Sequence, residues 1–319
     1  MFLNWPVAPL RRRSPHTEDY VIESSFFLPR LTRLLCAAAI LSTLATGTAL
    51  AQAPSVTLAA QSAPSDPNPG AITLTAGVDF PSVYFFRGIR QEADPSFTMF
   101  AFGDVGISLY SSDTGKSGSI NFGVWNSINT GSSGTGTPDK KSHYEEDFYV
   151  MFNMGVGKGI TITPFFTSYT SPNGSFGTVN EFAFKVAHAS KYAPYGLVAF
   201  ELSGQADGGS DEGTYAEIGI GPSWALGGKG VTLGIPVKLG FSLGDYYEAN
   251  GEDNGFGYLD IGALFTVPFS SAPTKVGTWN LHGGVNYLAL GDGTKSFNVK
   301  DGTAEGSQVI ASIGIGLSY

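Results

Sequence analysis

Val309-Ile-Ala-Ser-Ile-Gly-Ile-Gly-Leu-Ser-Tyr319 closes the chain. Val309, Ala311, Ile313, Ile315, Leu317 and Tyr319 hold alternate positions, with Ile310, Ser312, Gly314, Gly316 and Ser318 between them. Side chains alternate across a strand, so one face of this segment is apolar along its whole length and ends in an aromatic ring. With lipid against that face, Tyr319 falls in the interfacial aromatic girdle of a transmembrane barrel.

Working back from the C-terminus, the pattern recurs. Trp279, Leu281, Val285 and Tyr287 alternate with Asn280, His282, Gly284 and Asn286. Leu259, Ile261, Ala263, Phe265, Val267 and Phe269 form another such face, as do Val231, Leu233, Ile235, Val237, Leu239 and Phe241, and Phe97, Met99, Val105, Ile107 and Leu109. Repetition of half-apolar segments predicts an all-β fold: a closed antiparallel transmembrane β-barrel of about 12 strands in an up-and-down meander. The expected spans are 71–89, 95–111, 118–129, 144–156, 160–170, 178–189, 195–205, 213–225, 230–244, 256–269, 278–290 and 307–319. Pro164 makes the fifth the weakest, because proline cannot donate to a ladder. Long polar connections (130–143, 206–212, 245–255, 291–306) and short turns (157–159, 226–229) alternate in phase. With a periplasmic N-terminus the long ones are extracellular, and only the first, near Gln91–Asp94, is short.

Composition agrees. Of 319 residues, 42% are hydrophobic and 13% aromatic, 43 are glycine, and only 14% are charged. That is too apolar for disorder, and nothing outside the N-terminal region is long and apolar enough for a membrane-spanning helix. Net charge is −9, and the part after residue 53 carries 13 basic and 24 acidic residues. With no basic patch, nucleic acid is not an expected partner. Phosphate-loop, dinucleotide and zinc signatures are absent, so no cofactor and no metal are expected.

Arg30 and Arg33 precede the apolar Leu34–Leu44 and then Thr-Gly-Thr-Ala-Leu-Ala-Gln-Ala53. This is the layout of a secretory signal peptide. Residues 1–53 are therefore read as an N-terminal extension plus signal, cleaved near Ala51 or Ala53. Residues 54–70 are read as a flexible periplasmic lead-in and 71–319 as the barrel. The only cysteine, Cys36, falls in the removed part.

The same phase puts Asp79, Arg87, Asp104, Asp147, Glu181, Lys185, Glu201, Glu217, Lys238 and Asp260 on the inner face, where charge avoids lipid. These are the candidate lumen and constriction residues. Their acidic excess predicts a negative lumen that favours cations or neutral solutes. Arg87 is expected on the first strand, either neutralising lumen carboxylates or narrowing the pore. Phe100, Phe102, Tyr110, Trp125 and Tyr149 also read as inward. Gly219, Gly221, Gly240, Gly284 and Gly314 line the other wall, so one wall is expected filled, the other hollow, and the passage narrow.

Ser82-Val-Tyr-Phe-Phe-Arg-Gly-Ile-Arg-Gln91 resembles the opening motif of the TorF-family putative porins, Tyr-x-Phe-Arg-Gly-Ile-x-Gln. Gly123-Val-Trp-Asn-Ser127, Tyr144-Glu-Glu-Asp-Phe-Tyr149 and Asn180-Glu181 are similar to later landmarks of that family, over about the first half of the mature chain. The fourth-strand motif departs from it, being followed by Met-Phe-Asn-Met. The resemblance implies a Gram-negative outer-membrane barrel and carries over no ligand residues. A last strand ending in an aromatic residue is also similar to the signal read by the barrel-assembly machinery. Tyr319 is thus the candidate assembly signal, with that machinery, outer-membrane lipid and small solutes as partners. The expectation is a porin-like channel for passive diffusion and not an enzyme. Its rivals are a non-conducting structural or adhesive barrel and an outer-membrane lipid-modifying enzyme. For the last, His188-Ala-Ser190 is the only candidate, and it lies near a periplasmic turn with no polar partner following it.

Overall fold

A computed structural model describes residues 70–319, apart from 134–141, 208, 210, 228–229, 250, 270–275 and 301. The expected extension and signal with Cys36, and lead-in residues 54–69, lie outside the described residues. The half-apolar segments become β1 Ile72–Pro81, β2 Thr98–Ser111, β3 Lys116–Asn129, β4 His143–Gly157, β5 Ile160–Thr170 and β6 Val179–His188. Then come β7 Tyr195–Ser203, β8 Thr214–Ile220 resuming at Ser223–Leu226, and β9 Val231–Gly234 resuming at Val237–Gly244. The last three are β10 Phe256–Pro268, β11 Thr278–Leu290 and β12 Ser307–Ser318.

Every strand pairs antiparallel with its neighbours in sequence, and β12 pairs with both β11 and β1. Thr75 lies opposite Ser318 and Pro81 opposite Ser312, closing a barrel of 12 strands. Closure satisfies both edges of the sheet, which a membrane requires. Outward residues such as Ile72, Val105, Phe122, Phe152, Val285 and Ile313 are exposed and apolar, whereas the intervening positions are mostly buried inside. The odd-numbered connections gather at one end of the barrel and the even-numbered at the other.

Proline shapes the wall. Pro164 is accommodated in β5, facing Phe184 of β6 while the β4 ladder skips its position. The fifth strand therefore forms in spite of its proline, because no bond is lost. Strands β8 and β9, expected to be continuous, are each interrupted, at Gly221–Pro222 and Ile235–Pro236, where the ring nitrogens have no hydrogen to donate. Ordinary pairing resumes on either side, so each strand keeps its phase.

Three further expectations need correction. The first strand does not run to residue 89: it ends at Pro81, and the connection 82–97 is long and folds into the barrel. Arg87 is thus on a loop, and the alternation of long and short connections has no exception at its first member. Tyr110 faces outward, because the register shifts between Ser108 and Tyr110 and places its ring over Gly118. The glycine wall is not hollow. The ring of Tyr195 covers Gly219, and Tyr215 and Tyr258 cover Gly240, so absent side chains make room for aromatic rings.

Candidate functional site

The inward-folded connection is built as a hairpin. Phe85–Phe86 pairs with Ile89–Arg90, and Arg87-Gly88 is the two-residue turn, with φ of 46° and 84°. Two positive φ values make a type I′ turn, whose twist suits adjoining strands. Gly88 adopts this without penalty, but at Arg87 a left-handed backbone costs about 1–2 kcal/mol. The surroundings hold it there. Arg87 donates from Nη1 and Nη2 to the two carboxylate oxygens of Glu181 at 2.6 and 2.8 Å, and from Nη1 to the Tyr246 hydroxyl at 2.8 Å. Its guanidinium lies 4.1 Å from the Tyr215 ring centroid. The Tyr247 hydroxyl donates to the Arg87 carbonyl at 2.8 Å. A bidentate pair this deeply buried fixes orientation as well as charge.

The hairpin crosses the mouth and is held on both sides. Tyr84 and Phe86 pack with Phe100, Trp125, Tyr144 and Tyr169 of β2–β5. Phe85 and Ile89 pack instead into the cluster containing Tyr258, Leu288 and Leu290 of β10–β11. A short helix, α1 Asp292–Phe297, follows β11, and the buried Asn298 beyond it accepts from the Arg90 amide and donates to the Gly88 carbonyl, both at 2.7 Å. Arg90 also reaches Glu305. The fully buried Glu92 accepts from the Tyr84 amide and the Thr98 hydroxyl, yet burial raises its pKa above the usual carboxylate range. The connection 245–255 contributes the buried Tyr246 and Tyr247 from the opposite wall.

The other candidate lumen residues face inward and are mostly paired. Lys238 meets Asp260 at 3.2 Å, and Asp260 also accepts from Asn286. Glu217 accepts from the hydroxyls of Tyr195, Tyr215 and Tyr258 at 2.5–2.7 Å. Lys185 is buried with its ammonium 4.7 Å from the Tyr195 ring centroid. Glu201 accepts from the amides of Ala206 and Gly213 at 2.7 Å. Asp104 accepts from Asn121, which continues a row through Asn153 to Thr163. Asp79 meets His282 at 2.5 Å. Asp147 is buried, with one carboxylate oxygen lacking a protein partner. The structure thus joins Arg87 with Glu181, and Lys238 with Asp260, near Glu217 and Lys185. Asp104 and Asp147 lie apart from any cation among the described residues.

Several residues of the site escape strand periodicity. Glu92, Tyr246, Tyr247 and Asn298 belong to connections, whose folding is decided by what they meet. Tyr144 sits out of phase in sequence, but a register shift makes it an extra residue in β4 and buries it beside the in-phase Glu145. The Arg-Gly dipeptide flanked by Phe-Phe and Ile-Arg was the one signal available, as a two-residue turn between apolar pairs.

At the His188-Ala-Ser190 turn, the Ser190 amide donates to the His188 carbonyl at 2.9 Å. No group of three or more metal-ligating side chains occurs among the described residues.

No family model and no curated protein sequence matches the chain, so the resemblance of the Arg87 motif to the TorF family gains no support. Among solved structures, the NanC porin is similar at 14% identity and a TM-score of 0.38, over 76% of this chain and 98% of that one. The KdgM porin is similar at 9% identity and 0.35, over 77% and 99%. The translocator domain of the autotransporter NalP from Neisseria meningitidis is similar at 13% identity and 0.40, over 78% and 88%. These are distant likenesses between barrels.

Proposed function

We propose that the chain is an outer-membrane channel for small polar solutes, narrowed at its extracellular mouth by the hairpin around Arg87. The observation that carries this reading is the polarity of a closed barrel with an apolar exterior and a charged, amide-rich interior. Such an interior is costly to build and offers a polar path where the outside offers none. The N-terminal segment up to Ala53 fits export, and Tyr319 fits recognition by the assembly machinery. The interior is net acidic even after its ion pairs are counted, which favours cations and neutral solutes over anions.

The packed mouth favours a second reading, a barrel that does not conduct. One experiment decides. The mature chain is refolded, heat-modifiable gel mobility reports the barrel, and planar-bilayer recording reports the pore. Discrete conductance steps with cation preference support the channel. A folded barrel that stays silent under all conditions supports the second reading, and clear anion preference refutes the acidic lumen.

A further inference from the structure

Directly under the hairpin lie two carboxyl groups without a cation of their own. Glu145 and Asp147 are 4% and 6% exposed and stand at alternate positions of β4, on the same inward face. Two carboxyl groups can share a hydrogen bond only when one carries the proton. From the hairpin come Tyr84, whose ring packs on Trp125 and Tyr144 beside the pair, and Arg87, whose charge is committed to Glu181. Glu92 follows the hairpin and binds its Tyr84 amide. From the wall come Trp125 of β3, Tyr144 and Glu146 of β4, Tyr169 of β5 and Glu181 of β6. Among the described residues, none of these wall positions carries a positive charge. Trp125 Nε1, Asp147 Oδ1 and Thr167 Oγ1 are buried here without a protein partner. Trp125 and Tyr169 lie opposite Asp147 on its two flanking strands, with Thr167 one step further along β5.

We propose that the Glu145–Asp147 pair is a proton-operated catch for the mouth hairpin. While it shares one proton, Tyr84 and the hairpin stay seated. When both carboxyls ionise, their repulsion and need for water release Tyr84 and open the mouth. Ionisation removes one proton from the pair to solvent, and no bond other than that O–H is broken. The inference rests on the channel reading only for its consequence, not for the movement itself.

The test measures the movement separately from conduction. Val83→Cys places a thiol on the buried hairpin stem, and labelling by a membrane-impermeant maleimide is compared with Thr303→Cys on an exposed loop. Taking the ratio cancels thiol ionisation. From mildly acid to mildly alkaline pH the ratio should rise by up to about tenfold per pH unit while one proton is lost. Asp147→Asn, and independently Glu145→Gln, should flatten the rise. A flat ratio in the parent barrel overturns the catch, as does a full rise in both variants or one abolished only by Glu92→Gln. Parallel bilayer recordings separate the two claims. Rising labelling in silent membranes keeps the catch and removes the channel, whereas open pores with flat labelling do the reverse.

Discussion

Changing Glu181 to Gln should unseat the mouth hairpin without unfolding the barrel. The substitution leaves shape nearly unchanged and removes the charge that faces Arg87 across two bonds of 2.6 and 2.8 Å. Breaking a buried pair by neutralising one partner costs about 3–5 kcal/mol, because the remaining charge has lost its counterion. Arg87 would keep the Tyr246 hydroxyl and the face of Tyr215, and a desolvated cation–π contact contributes about 2 kcal/mol. The lower end of the range, about 3 kcal/mol, is therefore expected. The 12 strands need not bear that cost, since the hairpin can swing into water and hydrate Arg87, which also relieves the left-handed backbone at that residue. A shift of 3 kcal/mol changes the seated-to-released ratio more than about a hundredfold. The assay is maleimide labelling of Val83→Cys in parent and Glu181→Gln backgrounds, with heat-modifiable mobility as the control for folding. Unchanged labelling in a folded Glu181→Gln barrel would refute the claim that the ion pair seats the hairpin. Lost mobility would show that the pair supports the wall itself.

Three other outcomes follow from separate contacts. Ile313→Lys, on the exposed outer face, should cost about 2–4 kcal/mol near the bilayer midplane and reduce assembly, while Ser312→Lys beside it but facing inward should assemble and alter ion selectivity; equal yields in a membrane-integration assay would contradict the assigned faces. Asn298→Ala removes the bonds to Gly88 and Arg90 and should raise labelling of the hairpin stem while leaving the melting of the heat-modifiable form within about 1 kcal/mol of the parent, the scale of a typical hydrogen bond. Gly240→Val would drive a side chain into the Tyr258 ring, displace one of the donors to Glu217 and destabilise the barrel by about 1–3 kcal/mol, read as a lower transition temperature for gel mobility.

Period-two alternation is a local property, and it sufficed for the strands. Every segment from Ile72 to Ser318 that alternates apolar with polar residues is a strand in the barrel, and the inward placement of Asp104, Asp147, Glu181, Lys185, Glu217, Lys238 and Asp260 follows from the same phase. Alternation stops being informative wherever the register shifts. One extra residue turned Tyr110 out, and another turned Tyr144 in beside Glu145. Nor could it say that Pro222 and Pro236 interrupt their strands without changing face.

What the sequence by itself determined is the wall, because each strand needs only its own residues to choose a lipid side and a lumen side. The mouth was decided by tertiary structure alone. The Tyr-Phe-Phe-Arg-Gly-Ile stretch extends the apolar run of β1 and reads as more strand, until the closed barrel brings Glu181, Tyr246, Tyr247 and Asn298 around Arg87 from residues more than ninety positions away. Those contacts outweigh the cost of a left-handed arginine and pull the segment inward. A backbone choice settled by partners so distant leaves no periodic trace in the chain.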